Sequence, residues 1–210
     1  MVVNFCTISE IIPQAIFLEP ERFLTYNELH PTLYKCPAIT DFYKNKFVIK
    51  SPFDFYGEAE KQQDHLLLNT NAEETLKSNF IHFTQTNDLQ LNIFDYVFWS
   101  DEDVEMEVIP PPINNLLPVS GMFNIKNWIR PVHPSYYVYP SVKQFTFNIK
   151  RGDPYLYIKF NTKKKVELKY NFDKALLEEA QKMAKSSRYM KGFRKFFKVF
   201  EKIRPKKLTK

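Results

Sequence analysis

Apolar and polar residues alternate through the middle of this chain with the two-residue period of half-buried strands. Leu89, Leu91 and Ile93 are separated by Gln90 and Asn92; Val104, Met106 and Val108 are separated by Glu105 and Glu107. Phe145, Phe147 and Ile149 alternate with Thr146 and Asn148, and residues 165–170 repeat the pattern. Each run predicts a strand with one wet face. Residues 46–50, 136–139 and 155–160 are rich in β-branched and aromatic side chains and predict further strands. Residues 53–56 alternate and stop at Gly57, whereas Tyr96-Val97-Phe98-Trp99 is apolar throughout, as in a strand covered on both faces. Residues 122–130 are mixed and predict a bulge. The runs end at turn formers: Ser51-Pro52, Pro110-Pro111-Pro112, and Lys150-Arg151-Gly152-Asp153-Pro154. Eight or nine short strands without intervening helices predict an antiparallel β-sandwich of jelly-roll or cupin-like type.

The flanks read differently. Residues 1–36 are punctuated by Pro13, Pro20 and Pro31 and predict an irregular arm, anchored by Phe17, Leu18, Phe23, Leu24 and Leu33. Residues 19–24 suit one short helix with Pro20 in its first turn. Residues 58–80 are polar; Asn71, Glu73 and Glu74 suit the start of a short helix reaching Ser78. The predicted organisation is an arm over 1–36, a sandwich over 37–170 and a helical appendage over 171–210.

The appendage changes the electrostatic picture. Residues 181–210 hold twelve Lys and Arg against the single acid Glu201, while the whole chain is +6, so residues 1–180 are net negative. At about 100° per residue, Leu176, Leu177, Ala180, Met183 and Ala184 fall on one helical face. Tyr189, Met190, Phe193, Phe196, Phe197, Phe200 and Ile203 fall roughly opposite, and the phase changes at Ser186-Ser187. Two helices are therefore expected, over about 173–185 and 187–203, with Pro205 ending the second. The basic face of the second carries Arg188, Lys191, Arg194, Lys195, Lys198 and Lys202. The plainest reading packs the aromatic face on the sandwich and leaves the lysines solvated. The same helix also suits a protein partner or a second copy of the chain, nucleic acid, or an anionic membrane surface.

Composition excludes some chemistry. Only four glycines occur and none cluster, so neither a dinucleotide fingerprint nor a phosphate-binding loop is present. Two cysteines, Cys6 and Cys36, make a disulfide framework improbable and predict free thiols in a reducing compartment. No apolar run approaches the roughly 20 residues of a membrane span, and no secretory leader is read at the N-terminus.

The four histidines, His30, His65, His82 and His133, form no metal-ligand spacing, and no cofactor is called for. A metal-dependent oxygenase of cupin type would need His82, His133 and an acid from Asp101-Glu102-Asp103 to meet between the sheets. That acidic run, continued by Glu105 and Glu107, reads as a solvated loop entering an edge strand, or as a landing place for a neighbouring basic helix. Trp128, Arg130 and His133 lie in the densest polar–aromatic stretch and form a candidate ligand pocket, with Arg130 as anion holder beside the indole. Ser100, Ser120 and Ser135 have no nucleophile context, and Cys36 reads as a small buried residue.

Lys35-Cys36-Pro37-Ala38-Ile39-Thr40-Asp41-Phe42, then Phe47-Val48-Ile49 and Pro52-Phe53-Asp54, resembles uncharacterised proteins of tailed marine bacteriophages. Residues 121–125, Trp128 with Arg130-Pro131, and Arg151-Gly152-Asp153-Pro154 fit the same layout. A more distant similarity in strand and turn order is to a cupin-like bacterial family. The resemblance covers residues 35–160. It implies a viral origin, a β-rich body and a place in the host cytoplasm, free or on the virion, and it implies no activity. The functional expectation is an accessory or structural phage protein that binds a partner through its basic helix. The alternatives are a cupin-like metal enzyme and a nucleic-acid binder.

Overall fold

The computed structural model describes residues 1–7, 18–26, 35–62, 65–70, 81–83, 87–91, 96–126, 129–172 and 178. In chain order the elements begin with β1 (Val2–Thr7), β2 (Glu21–Arg22), α1 (Phe23–Tyr26), α2 (Pro37–Tyr43), β3 (Lys46–Lys50), β4 (Phe55–Gln62), β5 (His65–Thr70) and β6 (Ile81–Phe83). They continue with β7 (Asp88–Leu91), β8 (Tyr96–Trp99), β9 (Glu105–Ile109), β10 (Leu116–Pro118) and β11 (Gly121–Asn124). The last are β12 (Pro131–Val132), β13 (Ser135–Val138), β14 (Gln144–Ile149), β15 (Pro154–Asn161) and β16 (Glu167–Tyr170).

The chain is mainly β, and its strands form sheets in the orders β12-β8-β1-β16, β10-β13-β7-β6, β11-β9-β15-β3-β2 and β14-β4-β5. Every pairing among the described residues is antiparallel except β1 with β16. All four sheets turn one face to a common core, to which they contribute Phe5 and Phe98, Leu89 and Tyr136, Met106 and Phe160, and Phe55 and Phe147. The result is a sandwich-like body with a filled interior. Tyr96, Tyr136, Tyr155, Phe55, Phe98 and Phe160 are all fully buried in it. The hydroxyl of Tyr136 donates to Pro111 O at 3.0 Å, and that of Tyr155 donates to Leu91 O, so these large side chains enter the core without stranding a polar group.

The predicted alternation appears as alternating burial in β7, β9 and β14, and β8 is buried at all four positions. Three expectations about the strands need correction. Residues 2–7 are not irregular: β1 lies inside a sheet between β8 and β16, with Val3 and Cys6 fully buried. The run Val2–Thr7 is too short and too mixed to show a clean alternation, and its partners lie far away in sequence. β4 does not stop at Gly57 but runs through it and pairs with both β5 and β14. β9 is not an edge strand, because β11 and β15 flank it.

Helix α2 begins with Pro37 at its first position, and the carbonyl of Cys36 accepts from the amides of Ile39 and Thr40 at 3.1 Å each. Cys36 is exposed there, against the expectation of a buried thiol; both cysteines are free. Just past the helix, Asn45 takes a left-handed φ of 57° and is buried. Its Nδ2 donates to Thr162 O at 3.0 Å and Lys164 O at 2.8 Å, and its Oδ1 accepts from Val166 N at 2.9 Å. One amide thereby positions the loop that delivers β16 to β1.

Short helix α1 begins at Phe23, later than the residues read as its start. The expected helix near residues 71–78, nearly all of the helical appendage (173–177 and 179–210) and the phase change at Ser186-Ser187 lie outside the described residues. Among the described residues, no helix is long and apolar enough to cross a membrane.

Candidate functional site

Two of the quoted sequence motifs prove to be halves of one structural joint. Ser51 N donates to Asp153 O at 2.9 Å, and Gly152 N donates to Ser51 O at 2.7 Å. Arg151 N donates to Asp54 Oδ1 at 2.8 Å, and the Arg151 guanidinium donates to Pro52 O. Asp153 also closes its own turn by accepting from Lys150 N at 2.9 Å, with Gly152 at a φ of +90°. Pro52-Phe53-Asp54 and Arg151-Gly152-Asp153-Pro154 thus hold β3, β4, β14 and β15 in register. Their residue types are explained by turn geometry and hydrogen bonding.

A second cluster surrounds Lys46. Its Nζ lies 4.2 Å from the ring centre of Phe23, 4.7 Å from that of Tyr157 and 5.3 Å from that of Tyr43. Phe23 and Tyr43 stack at 4.4 Å, and Phe23 meets Tyr157 edge-on at 5.6 Å. Burial lowers the Lys46 pKa; Glu107 pulls it back up, and Lys159 lowers it further. Lys159 places its own Nζ 4.7 Å from the centre of the Phe42 ring. These cation–ring contacts fasten α1 and α2 to the sheet. Nothing in the strand pattern pointed to them, since Phe23, Tyr43 and Tyr157 are far apart in sequence.

The acidic run is spread over separate interactions. Lys164 Nζ pairs with the Glu102 carboxylate, and this hydrogen bond is the main reason the Glu102 pKa is lowered. Asn124 Nδ2 donates to Asp103 Oδ1, and Lys126 N donates to Asn124 Oδ1 at 3.0 Å, a local polar brace for β11. Ser100 is buried; its hydroxyl donates to Val2 O at 3.3 Å and accepts from Glu102 N at 3.1 Å, which ties β8 to β1.

Arg130 and His133, two of the three predicted pocket residues, do come together. They flank β12 and line a cavity of about 280 Å³ with Ser120, Gly121, Phe123 and Ser135. The guanidinium carbon lies 5.6 Å from the Phe123 ring centre, and Nε donates to Pro131 O at 3.4 Å. Burial lowers the Arg130 pKa, yet an arginine stays charged at physiological pH. Trp128 lies outside the described residues, as do Arg188, Lys191, Arg194, Lys195, Lys198 and Lys202 and the side chain of His82. Among the described residues, no three His, Cys, Asp or Glu side chains gather at one point. No family model, no curated protein and no solved structure matches this chain.

Proposed function

We propose that this chain is a non-enzymatic accessory or structural protein of a tailed phage, which docks on an acidic protein surface through its basic C-terminal segment. The observation that carries this reading is the filled interior. Aromatic and aliphatic side chains occupy the space where a cupin-like enzyme would need a pocket between its sheets. What remains distinctive is the charge division between a negative body and residues 181–210. Ahead of it in the chain, β16 is an edge strand among the described residues, and Tyr170 and Phe172 at its end are 37% and 55% exposed. An apolar edge next to a cationic run is the composition of a protein docking site. The phage-like motifs serve the scaffold, as the joint between residues 51–54 and 150–154 illustrates, in keeping with a body that presents a segment rather than performs a reaction.

The test uses the full chain with Lys191, Arg194, Lys195, Lys198 and Lys202 replaced by Gln. Unmodified protein is expected to bind polyglutamate saturably, and the five-fold variant is expected to lose that binding while its thermal unfolding is unchanged. Binding of a DNA duplex in preference to polyglutamate, with a steep salt dependence, would establish the nucleic-acid alternative instead. Equal polyglutamate binding by the variant rejects the proposal.

A further inference from the structure

Among the described residues, β14 is a sheet edge, and half of its backbone groups face outward. It pairs with β4 in unbroken register, from Gln144 opposite Glu60 to Ile149 opposite Phe55. Lys61 N donates to Lys143 O at 2.7 Å, and bonded and non-bonded pairs alternate along an antiparallel ladder. Phe145, Phe147 and Ile149 therefore exchange hydrogen bonds with β4, whereas Gln144, Thr146 and Asn148 direct their N–H and C=O groups away from it. Among the described residues, no hydrogen bond meets those outward groups. Several other edges are self-protecting: β2 and β12 have two residues each, and β16 carries Glu167 and Lys169. β14 runs for six residues without a charge, a proline or a bulge.

A groove of about 460 Å³ lies beside this edge, lined by Thr146 and Asn148 together with Pro111, Pro112 and Tyr157. Proline has no N–H, so Pro111 and Pro112 cannot donate to the edge, and the Pro111 carbonyl already accepts from the Tyr136 hydroxyl. The outward groups of β14 are thus left for an added strand. The order of residues along β14 says which strand fits. When two copies pair antiparallel about Thr146, Thr146 lies opposite Thr146 and Gln144 lies opposite Asn148. This register sets the outward backbone groups of each copy against those of the other. On the exposed face it also places hydroxyl beside hydroxyl and amide beside amide. Lys143 and Lys150 fall opposite Ile149 and Val142, so no like charges meet.

We propose that β14 is the seam of a homodimer, in which a second copy of this chain adds its own β14 antiparallel across a twofold axis at Thr146. The two three-stranded sheets β14-β4-β5 then join edge to edge into one continuous sheet. Each copy occupies the edge through which the other could pair with a foreign strand. The seam does not involve residues 181–210 and goes beyond the docking role.

Sedimentation velocity of the full chain in about 0.5 M NaCl tests the seam, because that salt screens attraction between a basic segment and a neighbour's acids. A monomer–dimer equilibrium with a Kd on the order of 10 μM is expected. Thr146→Lys sets like charges against each other on the axis and is expected to weaken the dimer at least tenfold. Thr146→Pro removes an N–H that β4 does not use and is expected to have the same effect. Should Thr146→Pro lower the unfolding temperature, Thr146→Lys decides the matter, since that side chain is exposed. Amide hydrogen exchange gives a second readout. Gln144, Thr146 and Asn148 are expected to gain protection as the concentration rises through the Kd, while Phe145, Phe147 and Ile149 are protected throughout. A chain that stays monomeric up to about 200 μM, a dimer undiminished by Thr146→Lys, or a dimer that leaves the exchange of Gln144, Thr146 and Asn148 unchanged each overturns the proposal. Loss of the dimer in the five-fold Gln variant of the C-terminal segment assigns the association to that segment and overturns it as well.

Discussion

The ring of Phe147 occupies the space in which a side chain at Gly57 would lie. The two residues face each other across β14 and β4, and a Cβ at Gly57 would overlap the tip of the ring, with even Cε1 only 2.7 Å away. Phe147 is buried and stacks on Phe55 at 5.1 Å. The glycine that looked like the end of a strand is therefore the seat of a core aromatic. Gly57→Ala is expected to cost about 1–3 kcal/mol through overpacking. Phe147→Ala should cost about 3–5 kcal/mol through the cavity it leaves. In a denaturant-unfolding double-mutant cycle, the Gly57→Ala penalty should largely vanish in the Phe147→Ala background. Additive costs would show that the ring and the glycine are not coupled.

Asn45 combines a left-handed backbone with three side-chain hydrogen bonds. Asn45→Ala is expected to destabilise through both features, with roughly 1–3 kcal/mol for each buried group left unpaired. Asn45→Gly loses the same bonds but tolerates the φ of 57°, so it should be milder than Asn45→Ala by about 1 kcal/mol. Chemical denaturation of the two variants separates the backbone share from the hydrogen-bond share.

Tyr96 and Tyr136 are buried, and burial raises both pKa values well above the ordinary 10.0. A raised pKa means that the folded state holds its proton where the unfolded state has lost it. The stability tied to these hydroxyls is therefore complete below pH 10 and is lost as pH rises beyond it. Alkaline unfolding should begin above pH 10, with tyrosinate absorbance appearing together with the loss of β-sheet circular dichroism. Tyr136→Phe removes one such group and its bond to Pro111 O. It should cost about 0.5–1.5 kcal/mol at neutral pH and move the alkaline midpoint upward.

Lys46 shifts the other way. Its lowered pKa, caused mainly by burial, means that the unfolded state binds the proton more tightly. Between the folded value and 10.5, stability gained from this group rises with pH. Lys46→Met keeps much of the packing among Phe23, Tyr43 and Tyr157 and removes the titration. The stability of Lys46→Met relative to the unmodified protein should therefore fall as pH climbs through that window. A difference that is flat with pH would show that the cage does not perturb the amine.

Local pattern determined much of this protein. The alternation at Leu89–Leu91, Met106–Val108 and Phe145–Ile149 placed strands and their buried faces, because a side-chain period of two depends only on the residues themselves. The fully apolar run at Tyr96–Trp99 likewise disclosed a strand covered on both sides. Sequence also picked out Arg130 and His133, since both lie in one short polar–aromatic stretch. Only the tertiary structure decided the rest. That β1 is central, that Gly57 seats Phe147, that Asn45 holds residues 162–166 and that Phe123 lies against Arg130 all depend on tertiary pairing. Such relations are set by which strands meet and in what register, and a periodicity within one strand carries no information about its neighbour.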